Sequence, residues 1–394
     1  MTIRGGRASG AHLRLAASAP RSRRKIPRRI AVLGAGGFVG SHLVPRLAAR
    51  GDAEIVAVDR DLGKLAGGLR GVRRIEADIS EPGLLEDVVG GAEAVVSLTA
   101  LCNPALYNTR PLEVMDASFG DLLPLVKLCA ARRLWLVHFS TCEVYGRLAL
   151  DVDGRRTAVM DEDRTALFLG PVHSERWSYA AAKQLLERVI WAHGRHAGLP
   201  FTIVRPFNVI GPRMDFIPGV DGEGIPRVLA CFMHALMSGT PLQLVDGGRQ
   251  RRSFLDVSEL VGAVERMLER PDRCRGQIFN LGNPDNDLTI RGLAKALAAA
   301  YRKLRPDQAA ARFETVTAEA FYGAGYDDSV ARIPTIAKAT RLLGWRPHRT
   351  VEEMLPGIVA DYLERYGADC AASADPARWS DLGRAEFAVG RSRR

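Results

Sequence analysis

From residue 29 onward, apolar positions come in short unbroken bursts separated by longer stretches in which they recur every three or four residues. RIAVLGAGGFVGSHLVPRLAARG reads as an apolar strand, a Gly-rich turn and a helix ending near Gly51, and AEIVAVDR supplies the next strand, so the chain opens on a βαβ unit. Further β-type bursts at EAVVSLTAL, LWLVHFST and FTIVRPFNVI are separated by helical stretches, the alternation of a doubly wound parallel sheet. Beyond Pro206 the pattern loosens into Pro- and Gly-rich loops such as GPRMDFIPGVDGEGIP, with helices predicted near 225–238, 257–269 and 289–303. The predicted fold is α/β. Residues 29–207 form a dinucleotide-binding domain of Rossmann type, to which segments near 245–275 return. Residues 208–366 form a smaller α/β substrate lobe, residues 1–28 a basic leader and residues 367–394 a loose tail.

A chain of 394 residues exceeds the usual single-domain size, which agrees with two packed domains. Hydrophobic residues make up 47% and charged residues 25%, and no apolar run approaches the roughly 20 residues that span a bilayer, so no membrane role is expected. The net charge of +10 suggests nucleic acid until its location is considered. Nine Lys/Arg and no acid lie in residues 1–29 and three more in 391–394, leaving a body with 43 basic and 45 acidic residues. Charge in the tails argues against a nucleic-acid surface. The leader is Ser- and Arg-rich, which fits either disorder or a transit peptide. Six cysteines without a CxxC pair or metal spacing imply free thiols, a reducing cytoplasmic setting and no metal site.

Gly34, Gly37 and Gly40 form GxxGxxG between a strand and a helix, where the backbone can approach a pyrophosphate and the helix N-terminus faces its charge. Asp59 ends the second strand, where a carboxylate accepts ribose hydroxyls and repels a 2′-phosphate, so NAD is favoured over NADP. Arg60 beside it weakens that preference. Tyr179 and Lys183 stand at i and i+4 on one helical face in SYAAAKQLLERVIWA. An ammonium and an oxidised nicotinamide would both favour phenolate, letting the tyrosine take a proton from a sugar hydroxyl.

The glycine spacing, Asp59, Thr141 and the Tyr179/Lys183 pair together resemble the extended short-chain dehydrogenase/reductase family, whose members act on nucleotide sugars, over about residues 29 to 366. The resemblance implies that Thr141 hydrogen-bonds the reacting hydroxyl, Tyr179 is the base and Lys183 holds the nicotinamide ribose. It places Phe38 and Val39 on the cofactor with the glycines, Asp78 and Ile79 at the adenine, and Leu98, Thr99 and Ala100 along the cofactor after the fourth strand.

Longer motifs narrow the resemblance. LTALCNPALYNTRPLEVM, HFSTCEVYG, ERWSYAAAKQLLERV, RPFNVIGPRMDFIPGVDG, LVDGGRQRRSF and FYGAGYDDSVARIP look like the UDP-apiose/UDP-xylose synthase branch, which decarboxylates UDP-glucuronate. Several also resemble the decarboxylase half of the bacterial lipid A aminoarabinose enzyme, where a serine stands in place of Cys142. Oxidation at C4 places a ketone β to the carboxylate, so carbon dioxide leaves readily; ring contraction by retro-aldol chemistry then demands extra proton transfers. A thiol titrating near neutrality suits that work better than a hydroxyl. The resemblance implies that Cys102, Cys142 and Glu143 shuttle protons, and that Arg176, Asp328 and Arg332 meet the uronate. It gives Tyr107 to the sugar, Tyr326 to the nucleotide, and Asn208, Arg227, Gln243 and Arg252 to the uridine diphosphate, with Gln243 standing where relatives carry lysine. It also implies a homodimer through the helix that carries Trp191.

Each of these residues has a structural alternative. The alternatives are that Cys142 is a small buried strand residue, Cys102 a packed loop thiol and Arg252 a solvated hairpin charge, while His138, on an apolar strand, reads as a hydrogen-bonded core residue rather than a catalyst. Three functions follow: apiose-forming decarboxylation, decarboxylation ending at UDP-xylose or the 4-keto pentose, and a non-catalytic dinucleotide sensor on the same fold.

Overall fold

The computed structural model describes residues 26–147, 157, 159–217, 220–222, 225–322 and 329–372. Seven parallel strands form one sheet: β1 (Arg29–Leu33), β2 (Glu54–Asp59), β3 (Val72–Glu76), β4 (Ala94–Ser97), β5 (Trp135–Phe139), β6 (Phe201–Pro206) and β7 (Gln277–Leu281). Their spatial order is β7-β6-β5-β4-β1-β2-β3. Strand order reverses between β1 and β4, which opens a crevice at their carboxyl ends, where ligands bind in sheets of this kind.

The sheet is buried on both faces because helices cover each. Helices α1 (Phe38–Ala48) and, from the second half of the chain, α5 (Val257–Leu268) pack Leu43, Leu47, Val261 and Val264 against one face. Helices α2 (Leu123–Arg132) and α3 (Ser178–Ala197) pack Leu125, Val126, Leu186 and Ile190 against the other. Each such side chain contributes about 1.5–3 kcal/mol on leaving water. Asp256 caps α5, its carboxylate accepting from the Ser258 N–H at 2.7 Å.

Two strands escape the periodicity reading. β3, VRRIE, lies at the sheet edge with Arg and Glu exposed, so its pattern is too polar to announce a strand. β7 pairs with β6, carrying the returning segment past 275 to Leu281.

The second lobe has its own core, built by α4 (Val228–Ser238), α6 (Ile290–Leu304) and α7 (Val351–Ala372) around Leu229, Met233, Leu297, Leu355 and Tyr362. Two small sheets edge it. Arg251–Ser253 pairs with Asp287–Thr289 and with Ala331–Arg332, and Leu242–Val245 pairs with Phe313–Val316. Helix α7 continues to Ala372, so the tail does not loosen at Gly367; residues 373–394 lie outside the described residues, as do Tyr326, Asp328 and most of the basic leader. Among the described residues, no helix is long and apolar enough to cross a membrane.

Candidate active site

The turn between β1 and α1 is built to bring backbone close to a ligand. Gly34 has φ +81°, and its N–H donates to the Val58 carbonyl at 2.9 Å. A Cβ on Gly40 would sit 2.3 Å from the Gly34 carbonyl oxygen, and one on Gly36 only 1.7 Å from that of Asp61. Gly36, which the GxxGxxG spacing passes over, is therefore the tightest position of the turn; the doubled glycine in GAGGFVG is its signal. Gly37 is exposed and caps α1 with no side chain, leaving the first amides of the helix open to an anion.

The Asp59 carboxylate accepts from the Gly36 N–H at 2.9 Å, which places it against the turn. Arg60 lies with its guanidinium 3.6 Å from Asp78, both at the surface. Asp78 also accepts from the Ser80 N–H and hydroxyl, which with Arg60 lowers its carboxyl. Leu98 and Thr99 close the turn from the β4 side, and the Thr99 hydroxyl is buried without a protein partner, a polar atom available to a ligand. Phe38 lies half-buried on His42, Val39 and Leu98 pack on the sheet core, and Ala100 packs beside Tyr107 and Tyr179. Ile79 is buried in the core cluster that includes Leu125 and Val126 of α2. Open helix amides, a carboxylate at the end of β2 held against the glycine turn and an orphaned hydroxyl fit NAD.

The second group lies at the ends of β4 and β5. The Tyr179 hydroxyl is 3.2 Å from the Cys102 sulfur, and its ring stacks on Tyr107 with centroids 5.0 Å apart. Lys183, one turn along α3, donates from Nζ to the Phe139 carbonyl at 3.0 Å. Thr141 caps the short turn Cys142–Tyr145, its Oγ1 accepting from the Glu143 N–H at 3.2 Å. Burial lowers the Lys183 ammonium to about 8 and pushes the Tyr179 phenol well above its ordinary value, Cys102 and Tyr107 adding to the rise. In this arrangement burial outweighs the cationic help that the i, i+4 spacing suggests, and the phenol rests neutral.

The third group surrounds a cavity of about 350 Å³ between the lobes. Glu143, Arg176, Asn208, Arg227, Gln243, Arg252 and Arg332 all line it. Arg176 donates to both Glu143 oxygens, at 2.7 and 3.2 Å, and Arg332 donates to Oε1 at 3.2 Å. The Arg176 guanidinium also lies over the Tyr107 ring at 5.1 Å, linking the cavity to the Tyr179 stack. Arg252 and Arg332 are register partners on parallel strands, so two guanidiniums emerge side by side. At 6% exposure Arg252 is no solvated hairpin charge; it donates to the Ser329 carbonyl at 3.0 Å. Arg227 is anchored by Asp215 at 3.1 Å, Asn208 donates to the Ser253 carbonyl, and Gln243 is exposed on its strand. Asp215, in RMDFIP, went unread because an acid that fixes an arginine carries no motif of its own.

A family description, NAD dependent epimerase/dehydratase family, matches residues 30–282. The chain is 42% identical to UDP-D-apiose/UDP-D-xylose synthase 1 of Arabidopsis thaliana, over 88% of this chain and 94% of that protein. It is 43% identical to UDP-D-apiose/UDP-D-xylose synthase of Oryza sativa subsp. japonica, over 84% and 87%. The chain belongs to the NAD dependent epimerase/dehydratase family. Among solved structures, PbgP3 protein from Burkholderia pseudomallei superposes with a TM-score of 0.75 at 33% identity, over 88% of this chain and 98% of that one.

As a member of this family the protein is an NAD-dependent enzyme, and the geometry sorts its other candidate residues. Cys102, Tyr107, Tyr179, Glu143, Arg176 and Arg332 come together. Cys142 stands apart: 4% exposed, it packs among Val144, Tyr145, Met160 and Phe207 rather than lining the cavity. Its sulfur accepts from the Asn208 N–H, and burial pushes the thiol up, opposed by Arg332 and Arg252. The reading of a Cys142 thiol titrating near neutrality is therefore corrected, because desolvation disfavours thiolate more than the arginines favour it. His138 is buried in β5 and held neutral by burial, yet its Nε2 has no protein hydrogen bond, unlike the bonded core histidine expected.

Proposed function

We propose that the protein decarboxylates UDP-glucuronate through a 4-keto intermediate and contracts the ring, giving UDP-apiose together with UDP-xylose. What carries the reading is one juxtaposition: a phenol in contact with a thiol, joined through Tyr107 and Arg176 to a cavity whose wall holds a carboxylate-binding arginine pair. The names of the synthases it resembles support the substrate class.

The neutral phenol of Tyr179 would become a base only when the charge of an oxidised nicotinamide joins that of Lys183 in favouring phenolate; so ionised, it would take the proton of the sugar C4 hydroxyl, with Thr141 as its hydrogen-bonding partner. NAD, when bound, supplies the hydride acceptor at C4 and later the hydride donor. Arg332 and Arg176 hold the uronate carboxylate until it leaves, while Arg227, Arg252, Asn208 and Gln243 receive the uridine diphosphate. Cys102, at the phenol, hands protons to the opened ring.

Burial of Cys142 off the cavity wall favours a second reading, decarboxylation that stops at UDP-xylose. Incubation with UDP-glucuronate and NAD, with carbon dioxide and NMR of the sugars as readouts, separates them. A branched five-membered product supports the proposal, UDP-xylose alone supports the second reading, and no carbon dioxide rejects both.

A further inference from the structure

Arg227 lines the cavity, and three contacts fix it from behind. Its Nε donates to the buried Asp215 carboxylate at 3.1 Å, its Nη2 donates to the Met214 carbonyl at 2.9 Å, and its guanidinium lies over the Phe38 ring, 5.7 Å from the centroid. Nη1 makes no hydrogen bond among the described residues. A planar guanidinium held in this way keeps donors for an anion while its torsions are already set. Phe38 opens α1 directly after the glycine turn, so the seat of Arg227 is joined to the cofactor helix. Asp215 itself does not line the cavity. It acts on a ligand only through the arginine in front of it.

The carboxylate is placed as firmly as the arginine. Its Oδ2 also accepts from the Arg227 N–H at 2.9 Å, at the residue that caps α4. The loop carrying it is tied to α7: the Arg213 N–H donates to Asp361 at 2.8 Å, and the Tyr366 hydroxyl donates to Asp221 at 2.6 Å, whose other oxygen accepts from the Ile217 N–H at 2.8 Å. An acid behind a phosphate-binding arginine has two opposed effects: its charge repels the ligand, and its grip removes rotamer freedom that the arginine would otherwise lose on binding. The Arg227 side chain is 32% exposed, so water screens the repulsion. Unit charges about 8 Å apart in water alter affinity by about 2-fold, whereas holding one long side chain in place alters it by about 3- to 10-fold. The grip is the larger effect. We propose that Asp215 is a positioning residue for the nucleotide's diphosphate, holding Arg227 on Phe38 so that the guanidinium is preset for phosphate oxygens. This rests on the UDP-sugar reading above and adds how one of its arginines is made ready.

The test is calorimetry of UDP binding to NAD-loaded protein in a double-mutant cycle of Asp215→Ala and Arg227→Ala. Asp215→Ala alone should weaken UDP binding by about 3- to 10-fold, and adding it to Arg227→Ala should change nothing further. Equal weakening in both backgrounds marks an effect on the fold that does not pass through Arg227, and overturns the assignment. Unchanged or tighter binding in Asp215→Ala overturns it too, since repulsion then prevails over grip. Should Asp215→Ala fail to fold, Asp215→Asn keeps an acceptor for the N–H at the start of α4 while removing the charge that grips the guanidinium, and is read against Arg227→Ala by the same criteria. Wild-type protein that binds no UDP rejects the UDP-sugar reading and Asp215 with it; wild-type protein that binds UDP, with no loss dependent on Arg227 in the Asp215 variants, rejects the role of Asp215 alone.

Discussion

Cys102 and Cys142 look alike in the sequence, two thiols near catalytic motifs, and part company in the fold. Cys102 is exposed and touches the Tyr179 hydroxyl, whereas Cys142 is buried among apolar side chains. Cys102→Ser should therefore lower the ratio of apiose to xylose products by roughly 10-fold or more, the scale of a lost proton-transfer group, and Cys142→Ser should change it far less. Product ratios by NMR decide; a larger effect at Cys142 would contradict the geometry.

Lys183 makes a residue-scale prediction of a different kind. Its folded value of about 8 lies below the ordinary 10.5, so between those pH values the unfolded chain holds a proton that the folded chain does not. Unfolding then binds a proton, and stability rises with pH across that window. Below pH 8 the buried ammonium costs about 3 kcal/mol. Lys183→Met should accordingly melt higher than the wild type at pH 7, with the advantage shrinking by pH 10. An advantage that is constant with pH would show that the ammonium is not desolvated.

At the scale of elements, the strand-turn-helix of β1 and α1 depends on backbone meeting backbone. No flexible side chain can yield to a Cβ on Gly36, because the atom it meets is the Asp61 carbonyl oxygen. Gly36→Ala should cost about 1–3 kcal/mol of overpacking and spoil the cofactor turn. The check is thermal melting with and without NAD: the rise in Tm that NAD gives the wild type should vanish in the variant. The small sheet of the second lobe works likewise, since its parallel register sets Arg252 beside Arg332.

Over the whole molecule, the returning α5 and β7 bind the second half of the chain to the first, so the cavity lies between lobes that share one sheet. Helix α3 exposes Leu185 and Trp191, the latter 46% accessible, on the side of the sheet away from α1. We propose that this face pairs two copies of the chain. Light scattering should give a dimer, and Trp191→Glu should yield monomers that keep the NAD-induced rise in Tm; a wild-type monomer would remove the proposal.

What the sequence by itself determined is local. The alternation of apolar bursts and helical stretches, the glycine turn, Asp59 at a strand end and the i, i+4 pair of Tyr179 and Lys183 are properties of neighbouring residues, and periodicity reports them directly. The polar edge strand β3 was illegible because an exposed edge needs no apolar face. Only the tertiary structure decided which thiol meets the phenol and which cations hold Glu143. Arg176 and Arg332 reach that carboxylate from 33 and 189 residues away along the chain. Such pairs carry no periodicity, and their protonation depends on burial that arises only when the lobes close around them.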